Sequence, residues 1–376
     1  MDRRRFLTHT AVSAAAIAAG AFVPGYAAAL SNNLAMEKTA NQKQHKRYRP
    51  LTKAGMGGVA LGNGFQVNPE IECYQAMEAA WDAGIRYFDT SPWYGLGISE
   101  RRMGVFLKDK PRSEFTLSTK VGRLLEPHED FQVTQALWKG KMNFGYKYDY
   151  TASGVRRSVE DSLQRLGVSS LDIVFIHDLS PDNGDMKQGW LKYFEIAQKG
   201  AMPELTKMRE EGLIKAWGLG VNTIEPILKT IEVADPDIFL SATQYSLIKH
   251  EDDLNKVFPR CAERDISIVV GAPLNAGFLS GKDRYDYSGT FPEGVKEKLA
   301  SIKAVASRHQ VDVRTAALQF CAAPEVVSAV IPGFHTVQQA KENARSLSST
   351  KIPAAFWEEL KKEKLIAANA PVPAAR

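Results

Sequence analysis

Residues 84–95 have the sequence Gly-Ile-Arg-Tyr-Phe-Asp-Thr-Ser-Pro-Trp-Tyr-Gly. Its centre, Tyr87–Asp89, is a short apolar run that ends in an acid, and a loop containing Pro and Gly follows it. This order predicts a buried strand that stops at a polar loop. One helical pattern begins near Ile71 and another near Ser99. The strand therefore lies between two helices, as the strands of a parallel sheet do.

The same alternation of apolar runs and helical patterns extends through most of the chain. Strands are predicted at Gly58–Leu61, Tyr87–Asp89, Phe115–Lys120, Leu171–His177, Ile214–Gly220, Phe239–Thr243, Ile266–Gly271 and Val326–Ile331. Eight strands alternating with helices favour an α/β fold, a single-domain (β/α)8 TIM barrel over residues 48–368. A linker is predicted at 30–47 and a C-terminal tail at 369–376. A doubly wound sheet is the alternative, but no Gly-x-Gly-x-x-Gly follows an early strand.

The first 50 residues differ from the rest of the chain in charge. They carry 8 Lys/Arg against 2 Asp/Glu, whereas the remainder carries 40 basic against 41 acidic residues. The formal net charge of +5 therefore belongs to the N-terminal segment. Because the folded body has no basic excess, a nucleic-acid partner is not expected.

Residues 1–29 have the pattern of an export signal. Three arginines, Arg3–Arg5, precede an apolar run, Ala11–Ala29, that ends in small residues. The pattern resembles a signal for the twin-arginine translocation machinery, although Asp2 replaces the usual Ser or Thr. We expect a periplasmic protein, or a cytoplasmic one if the signal is not functional. An uncleaved amphipathic anchor is the alternative, and stable membrane insertion of the mature chain is not expected.

Four ionisable residues stand at predicted strand ends or in the loop that follows one. Asp89 ends its strand, Tyr94 lies in the next loop, and Lys120 and His177 end the following two strands. Each has an ordinary structural explanation, such as a helix cap for Asp89 or a rim charge for Lys120. Barrel enzymes keep their active sites at the carboxyl ends of the strands. We therefore predict that the four side chains meet as one catalytic group.

The chemistry of these residues suits hydride transfer at a carbonyl carbon, in which the oxygen gains or loses a proton. A tyrosine can carry that proton if its pKa, about 10 when free, moves toward the working pH. The Lys120 ammonium is expected to lower the pKa of Tyr94, and Asp89 to hold that ammonium in place. His177 is expected to orient the substrate oxygen.

A metal-dependent barrel hydrolase is the competing interpretation of these acidic and histidine side chains. No second His or Cys lies near His177 in the sequence, so no metal is predicted. Cys73, Cys261 and Cys321 lack ligand spacing and lie in helix-like segments. Free cysteines in such segments pack as small core residues.

The motif at 84–95 resembles the signature of the aldo-keto reductases. Lys120 in Ser-Thr-Lys-Val-Gly and His177 at its strand end match the other catalytic positions of that family, and the resemblance covers most of the chain. It implies a (β/α)8 barrel and hydride transfer from or to a nicotinamide ring. The implied catalytic residues are Asp89, Tyr94, Lys120 and His177, with Trp93 lining the substrate pocket.

Further segments indicate one branch of that family. Residues 94–102 and 160–167, with Gly218–Asn222 and Leu274–Leu279, resemble the D-threo-aldose (L-fucose) 1-dehydrogenases. The pyridoxal 4-dehydrogenase-like enzymes are close relatives. The implied substrate is an aldose or a small aldehyde. The alternative is a redox-sensing module without turnover, like the potassium-channel β subunits, which keep the same four residues. The export signal argues against this alternative.

The resemblance also implies which residues hold the cofactor. They are Asn222, Gln244, Gly271, Pro273, Leu274, Gly333, Phe334, His335, Thr336, Gln339, Glu342 and Asn343. Members that prefer NADPH have Lys, Ser and Arg where this chain has Gly333, Phe334 and Gln339. Fewer groups can then bind a 2′-phosphate, so NAD is expected, with NADP as the alternative. Gly271 replaces the Tyr that stacks on the nicotinamide in many members.

Overall fold

The computed structural model describes residues 45–133, 137–186, 189–287 and 289–374. The predicted signal at 1–29 and most of the predicted linker at 30–47 lie outside these residues. The last residues of the linker contact the folded body: His45 Nδ1 lies 2.7 Å from Asp265 Oδ1, and Arg47 Nη2 lies 2.5 Å from Asp235 Oδ1.

Eight parallel strands form a closed barrel. In chain order the described strands are β1 Gly55–Gly57, β2 Tyr87–Asp89, β3 Thr116–Val121, β4 Arg123–Pro127, β5 Phe144–Tyr148, β6 Ile173–His177, β7 Ala216–Val221, β8 Ile238–Ala242, β9 Ser267–Gly271 and β10 Val327–Ile331. All except β4 and β5 pair in sequence order. Hydrogen bonds from Gly57 N to Pro332 O, at 3.0 Å, and from Val330 N to Lys53 O, at 2.8 Å, join the last strand to the first. The predicted barrel is confirmed, and the doubly wound alternative is wrong.

The first barrel strand lies at Gly55–Gly57, so the prediction of a strand at Gly58–Leu61 is wrong. The true strand has no β-branched side chain and therefore lacks the usual composition of a strand. Close packing explains that composition, because a Cβ on Gly55 would lie 2.7 Å from Ile331 Cγ2. The more apolar segment instead forms a turn and a 3-10 helix at Ala60–Gly62.

Helices surround the barrel. The described α-helices are α1 Glu70–Asp82, α2 Ile98–Leu107, α3 Ala152–Leu166, α4 Trp190–Lys199, α5 Ala201–Glu210, α6 Glu225–Val233, α7 Phe258–Glu263, α8 Val295–Arg308, α9 Val313–Ala322, α10 Val337–Ser348 and α11 Ala354–Lys362. Their ends follow local chemistry. In α3 the Thr151 hydroxyl accepts from Gly154 N–H at 3.1 Å, and Gly167 ends the helix with a left-handed φ of 65°.

Two apolar cores hold this architecture together. Inside the barrel lie Tyr87, Ile173, Phe175, Ala216, Ile238, Leu240, Ala242, Val269, Ala329 and Ile331. A larger core lies between the strands and the helices, and it contains the three free, buried cysteines that the sequence predicted as core residues. Among the described helices, none is both long and apolar enough to cross a membrane. The filled interior leaves the carboxyl ends of the strands as the place for a site.

The long connection that the sequence predicts between Val121 and Tyr150 contains the β4–β5 hairpin. The two strands are antiparallel, with Arg123 opposite Tyr148. Residues of this connection, including Trp138, pack against the loop that carries Tyr94. The hairpin therefore covers one side of the carboxyl end of the barrel.

Candidate active site

Asp89 and Lys120 form a buried ion pair at the carboxyl ends of β2 and β3. Lys120 Nζ donates to Asp89 Oδ2 at 2.7 Å and to the Thr90 carbonyl oxygen at 2.8 Å. The Ser118 hydroxyl donates to Asp89 Oδ1 at 2.7 Å. Burial raises the pKa of Asp89 and lowers the pKa of Lys120. Each charge therefore depends on the other, and this is the contact that the sequence predicts.

Tyr94 lies over this pair. Its ring centroid is 4.5 Å from Lys120 Nζ and 5.8 Å from the centroid of the His177 ring. Burial, and then the charge of Asp89, raises the pKa of the Tyr94 phenol well above 10. In the protein alone, burial and Asp89 outweigh any lowering of this pKa by Lys120, so the expected net shift toward neutral pH is not found. Tyr94 is a protonated phenol, the form that donates to a carbonyl oxygen.

His177 ends β6 beside this group. Its Nδ1 lies 3.1 Å from the Ser91 hydroxyl, and its carbonyl oxygen accepts from the Tyr150 hydroxyl at 3.1 Å. Burial, with the charges of Lys120 and Arg123, lowers the pKa of His177 well below 6.5. The ring is neutral and can hydrogen-bond a substrate oxygen. In the part of the chain that the structure describes, no group of three or more His, Cys, Asp or Glu is placed to hold a metal ion.

Arg123, the first residue of β4, is a charged residue of the site that sequence reasoning missed. Its side chain is buried, and Nη1 donates to Asp178 Oδ2 at 2.7 Å. The guanidinium carbon lies 4.6 Å from the centroid of the Trp93 ring, a cation–π contact. The only signal in the sequence is position, because Arg123 and Asp178 directly follow the motifs that contain Lys120 and His177.

Three side chains, Trp93, Trp138 and Tyr146, form an aromatic wall beside Tyr94. The Trp93 ring centroid lies 5.5 Å from that of Trp138 and 5.0 Å from that of Tyr146, both in edge-to-face geometry. The Trp138 centroid lies 5.8 Å from that of Tyr94. The structure therefore places Trp93 at the site, where it also packs the loop, and its contact with substrate stays a prediction.

The residues predicted for the nicotinamide side of the cofactor lie at the carboxyl ends of β7, β8 and β9. They are Asn222, Gln244, Gly271, Pro273 and Leu274. Gln244 Nε2 donates to the Asn222 carbonyl oxygen at 2.5 Å. Thr243 and Ala272, at the ends of β8 and β9, have left-handed φ angles of 63° and 49°. Such strained backbone in residues with side chains clusters at ligand sites.

Gly271 packs closely against β8, so an aromatic side chain at this position, as in many family members, would require its neighbours to shift. A Cβ on Gly271 would lie 2.9 Å from Leu240 Cδ2 and 3.1 Å from Ala242 Cβ. The neighbouring strand β8 therefore fills the space from within the barrel. The glycine at position 271 therefore belongs to the packing of the barrel. Because it has no ring to stack on a nicotinamide, other residues must hold that ring.

The residues predicted for the adenosine side surround the N-terminus of α10. They are Gly333, Phe334, His335, Thr336, Gln339, Glu342 and Asn343. The Thr336 hydroxyl accepts from Gln339 N–H at 3.2 Å, and Gln339 Oε1 accepts from His335 N–H at 3.1 Å. Thr336 thus caps the start of α10, and the Gln339 side chain holds the residue that precedes the cap. Glu342 pairs with Arg314 and accepts from Gln338 Nε2 at 2.8 Å.

These residues fit a dinucleotide. The N-terminus of the 12-residue helix α10 offers backbone N–H groups and the positive end of its dipole to an anion. His335 Nδ1 is buried and has no hydrogen-bond partner among the described residues, so it can bond a polar group of a ligand. No Lys or Arg stands among the predicted adenosine-side residues, and a 2′-phosphate would lack a cation from this set.

Comparison with known proteins agrees with this site. The model of the aldo/keto reductase family matches residues 53–364. D-threo-aldose 1-dehydrogenase from a Pseudomonas species is 35% identical over 328 residues, which covers 83% of this chain and 94% of that protein. Pyridoxal 4-dehydrogenase from Microbacterium luteolum is 31% identical over 330 residues, covering 84% and 95%. Because these relatives are named as dehydrogenases, a redox-sensing module without turnover is not favoured.

Solved structures share the fold. The holo form of an aldo-keto reductase from Bacillus halodurans superposes with a TM-score of 0.63 at 23% identity, covering 86% of this chain and 93% of that one. An aldo/keto reductase from Klebsiella pneumoniae, in complex with NADP and acetate, has a TM-score of 0.59 at 17% identity, covering 86% and 95%. The family match over most of the chain decides the identity. The chain belongs to the aldo/keto reductase family and is an NAD(P)-dependent oxidoreductase.

Proposed function

We propose that this enzyme transfers a hydride between NAD and the carbonyl carbon of an aldose or a small aldehyde. The nicotinamide, when bound, supplies or accepts the hydride. The observation that carries the proposal is the position of Tyr94 over the buried Asp89–Lys120 pair, with His177 beside it. Burial raises the pKa of Tyr94 and lowers that of His177, which favours a protonated phenol and a neutral imidazole. Relatives named for an aldose and for pyridoxal support a substrate with a carbonyl or a hydroxyl group at the reacting carbon.

The reaction needs the His177 tautomer whose proton is on Nε2. Trp93 N–H donates to the Ser91 hydroxyl oxygen at 3.1 Å, and that hydroxyl lies 3.1 Å from His177 Nδ1. When the Ser91 hydroxyl donates to Nδ1, the imidazole proton resides on Nε2. In carbonyl reduction, His177 Nε2–H orients the substrate oxygen and the Tyr94 phenol gives it a proton. The Lys120 ammonium stabilises the tyrosinate that remains.

A substrate panel tests the proposed reaction. Purified protein is mixed with NADH and simple aldehydes, and separately with NAD and aldoses, while nicotinamide absorbance is followed. We expect NADH consumption with aldehydes at neutral pH, because Tyr94 is held in its protonated form. Oxidation of aldoses should rise with pH, since that direction needs the phenolate. No change of absorbance with any substrate in either direction would contradict the proposal.

The choice of NAD over NADP rests on Gln339. In the structure this side chain bonds His335 N–H just before α10 and carries no charge to offer a 2′-phosphate. Gln339→Arg is expected to raise the kcat/KM ratio of NADP over NAD by about 10-fold, the effect of one charge-assisted hydrogen bond. Gln339→Leu, which also removes the side-chain bond to His335 but adds no charge, should leave that ratio unchanged. An arginine variant with the parent's ratio would refute the assignment of this position.

Export by the twin-arginine route is part of the proposed function, and the motif at Arg3–Arg5 supports it. This route carries folded proteins, so the enzyme would cross with its nucleotide bound. Cell fractionation should find a shortened protein in the periplasm, and mass analysis should find a nicotinamide nucleotide on it. Changing Arg3 and Arg4 together to Lys should leave full-length protein in the cytoplasm. A parent chain found only there, unprocessed, would make the protein cytoplasmic.

A further inference from the structure

Asp178 has an unusual backbone at the edge of the catalytic group. It directly follows His177 and has a left-handed φ of 48°, which is unfavourable for a residue with a side chain. Its N–H donates to the Gly220 carbonyl oxygen at 2.9 Å, which fixes this conformation to β7. The strained backbone therefore sets the direction of a carboxylate next to the histidine of the site.

The two oxygens of Asp178 have different surroundings. Oδ2 accepts from Arg123 Nη1 at 2.7 Å, whereas Oδ1 lies 3.5 Å from His177 Nε2. That distance exceeds a normal N–H···O hydrogen bond, so Oδ1 keeps its capacity to accept. The side chain is 18% exposed. An acceptor on a partly exposed side chain thus stands beside the atom that orients the substrate oxygen.

Arg123 holds this carboxylate in place. Its side chain is 2% exposed, and its guanidinium carbon lies 4.6 Å, 5.0 Å and 5.4 Å from the ring centroids of Trp93, Tyr148 and Tyr146. The aromatic faces and the ion pair fix the guanidinium. Because its charge is balanced by Asp178, the pair has no net charge and does not select an anionic substrate. A neutral molecule with hydroxyl groups fits it better.

We infer that Asp178 determines specificity by accepting a hydrogen bond from the hydroxyl on the carbon next to the reacting carbon, and that Arg123 is its positioning residue. The inference rests on the proposed function and names the substrate class of the same site: 2-hydroxy carbonyl compounds and the corresponding aldoses. Oxygens on adjacent carbons are separated by about the length of a hydrogen bond. One can therefore contact His177 Nε2 while the other contacts Asp178 Oδ1. The aromatic wall offers an apolar face to the C–H groups of such a molecule.

Two aldehydes of equal carbon number test the inference: glyceraldehyde, which has the adjacent hydroxyl, and propanal, which lacks it. In Asp178→Asn the amide oxygen remains toward Arg123, so a donor replaces the acceptor that faces the substrate. We expect kcat/KM for glyceraldehyde to fall about 10-fold or more, mainly through KM. Turnover of propanal should fall much less than turnover of glyceraldehyde, and the NADH Kd should stay at the parent's value. Asp161→Asn, in another Asp–Arg pair on the surface of α3, should change neither aldehyde.

Variants at Arg123 separate positioning from folding. Arg123→Met should reproduce the loss with glyceraldehyde, and Arg123→Lys, which keeps the charge, should recover part of it. Equal losses with both aldehydes, or no loss with either, would overturn the inference while leaving the proposed function intact. A parent protein that neither reduces these aldehydes nor oxidises any aldose would instead overturn the proposed function, and this inference with it.

Discussion

Replacing Tyr94 with Phe is expected to lower kcat for carbonyl reduction by about 10²- to 10⁴-fold, the usual contribution of one general acid. The variant keeps the ring that lies over Lys120 and beside Trp138, so only the phenolic proton is lost. Steady-state rates with NADH and an aldehyde measure the loss. A fluorescence titration should give an NADH Kd equal to the parent's, because the hydroxyl is assigned no role in binding the nucleotide.

A tyrosine outside the site provides the matched control. Tyr74 packs edge-to-face on Phe106, with centroids 5.8 Å apart, on the outer side of the barrel. Tyr74→Phe also removes one phenolic hydroxyl, but away from the site, and should leave kcat unchanged. If Tyr94→Phe also kept the parent's kcat, another group would have to supply the proton, and the assignment of Tyr94 would be wrong.

Lys120→Met is expected to have the largest effect on stability. It leaves the Asp89 carboxylate buried without its partner, and breaking a buried pair in this way costs about 3–5 kcal/mol in the free energy of unfolding. The cost should grow as pH rises, because burial raises the pKa of Asp89. An acid with a raised pKa in the folded state is neutral and tolerated at low pH, and destabilises the fold once pH exceeds its unfolded value. Denaturant unfolding at two pH values measures this.

The double variant Asp89→Asn with Lys120→Met separates stability from catalysis. It removes both charges, so most of the lost stability should return. Turnover should stay low, because no ammonium remains beside Tyr94 to stabilise the tyrosinate. If the double variant recovered turnover together with stability, the pair would serve the fold alone. A single Lys120→Met variant as stable as the parent would contradict the burial of a charged Asp89.

The carboxyl ends of β2, β3 and β6 could be predicted from the sequence because each of these strands ends in a recognisable change from apolar to polar residues. Asp89, Lys120 and His177 lie at those ends, and parallel strands bring them together whatever the loops do. The strand Gly55–Gly57 could not be predicted in the same way. Its glycines are required by close contact with Ile331, far along the chain, and local strand propensity does not indicate them.

The surroundings of the catalytic residues were harder to predict from the sequence than the residues themselves. The pKa of Tyr94 depends on burial under side chains such as Trp138, which comes from a connection with no strand pattern of its own. The Arg123–Asp178 pair depends on the β4–β5 hairpin and on one left-handed residue after β6. Both features arise from tertiary packing, which residue patterns along the chain do not record.

The most direct test of the central claim follows the hydride and the proton together. The parent and Tyr94→Phe are each given an aldehyde and NADH carrying deuterium at both hydrogen positions of nicotinamide C4, and the mass of the alcohol is measured by mass spectrometry. We expect the parent's alcohol to carry one deuterium, and Tyr94→Phe to form almost none of it in the same time although it binds NADH normally. An alcohol without deuterium from the parent, or the parent's rate of label transfer from Tyr94→Phe, would contradict the account.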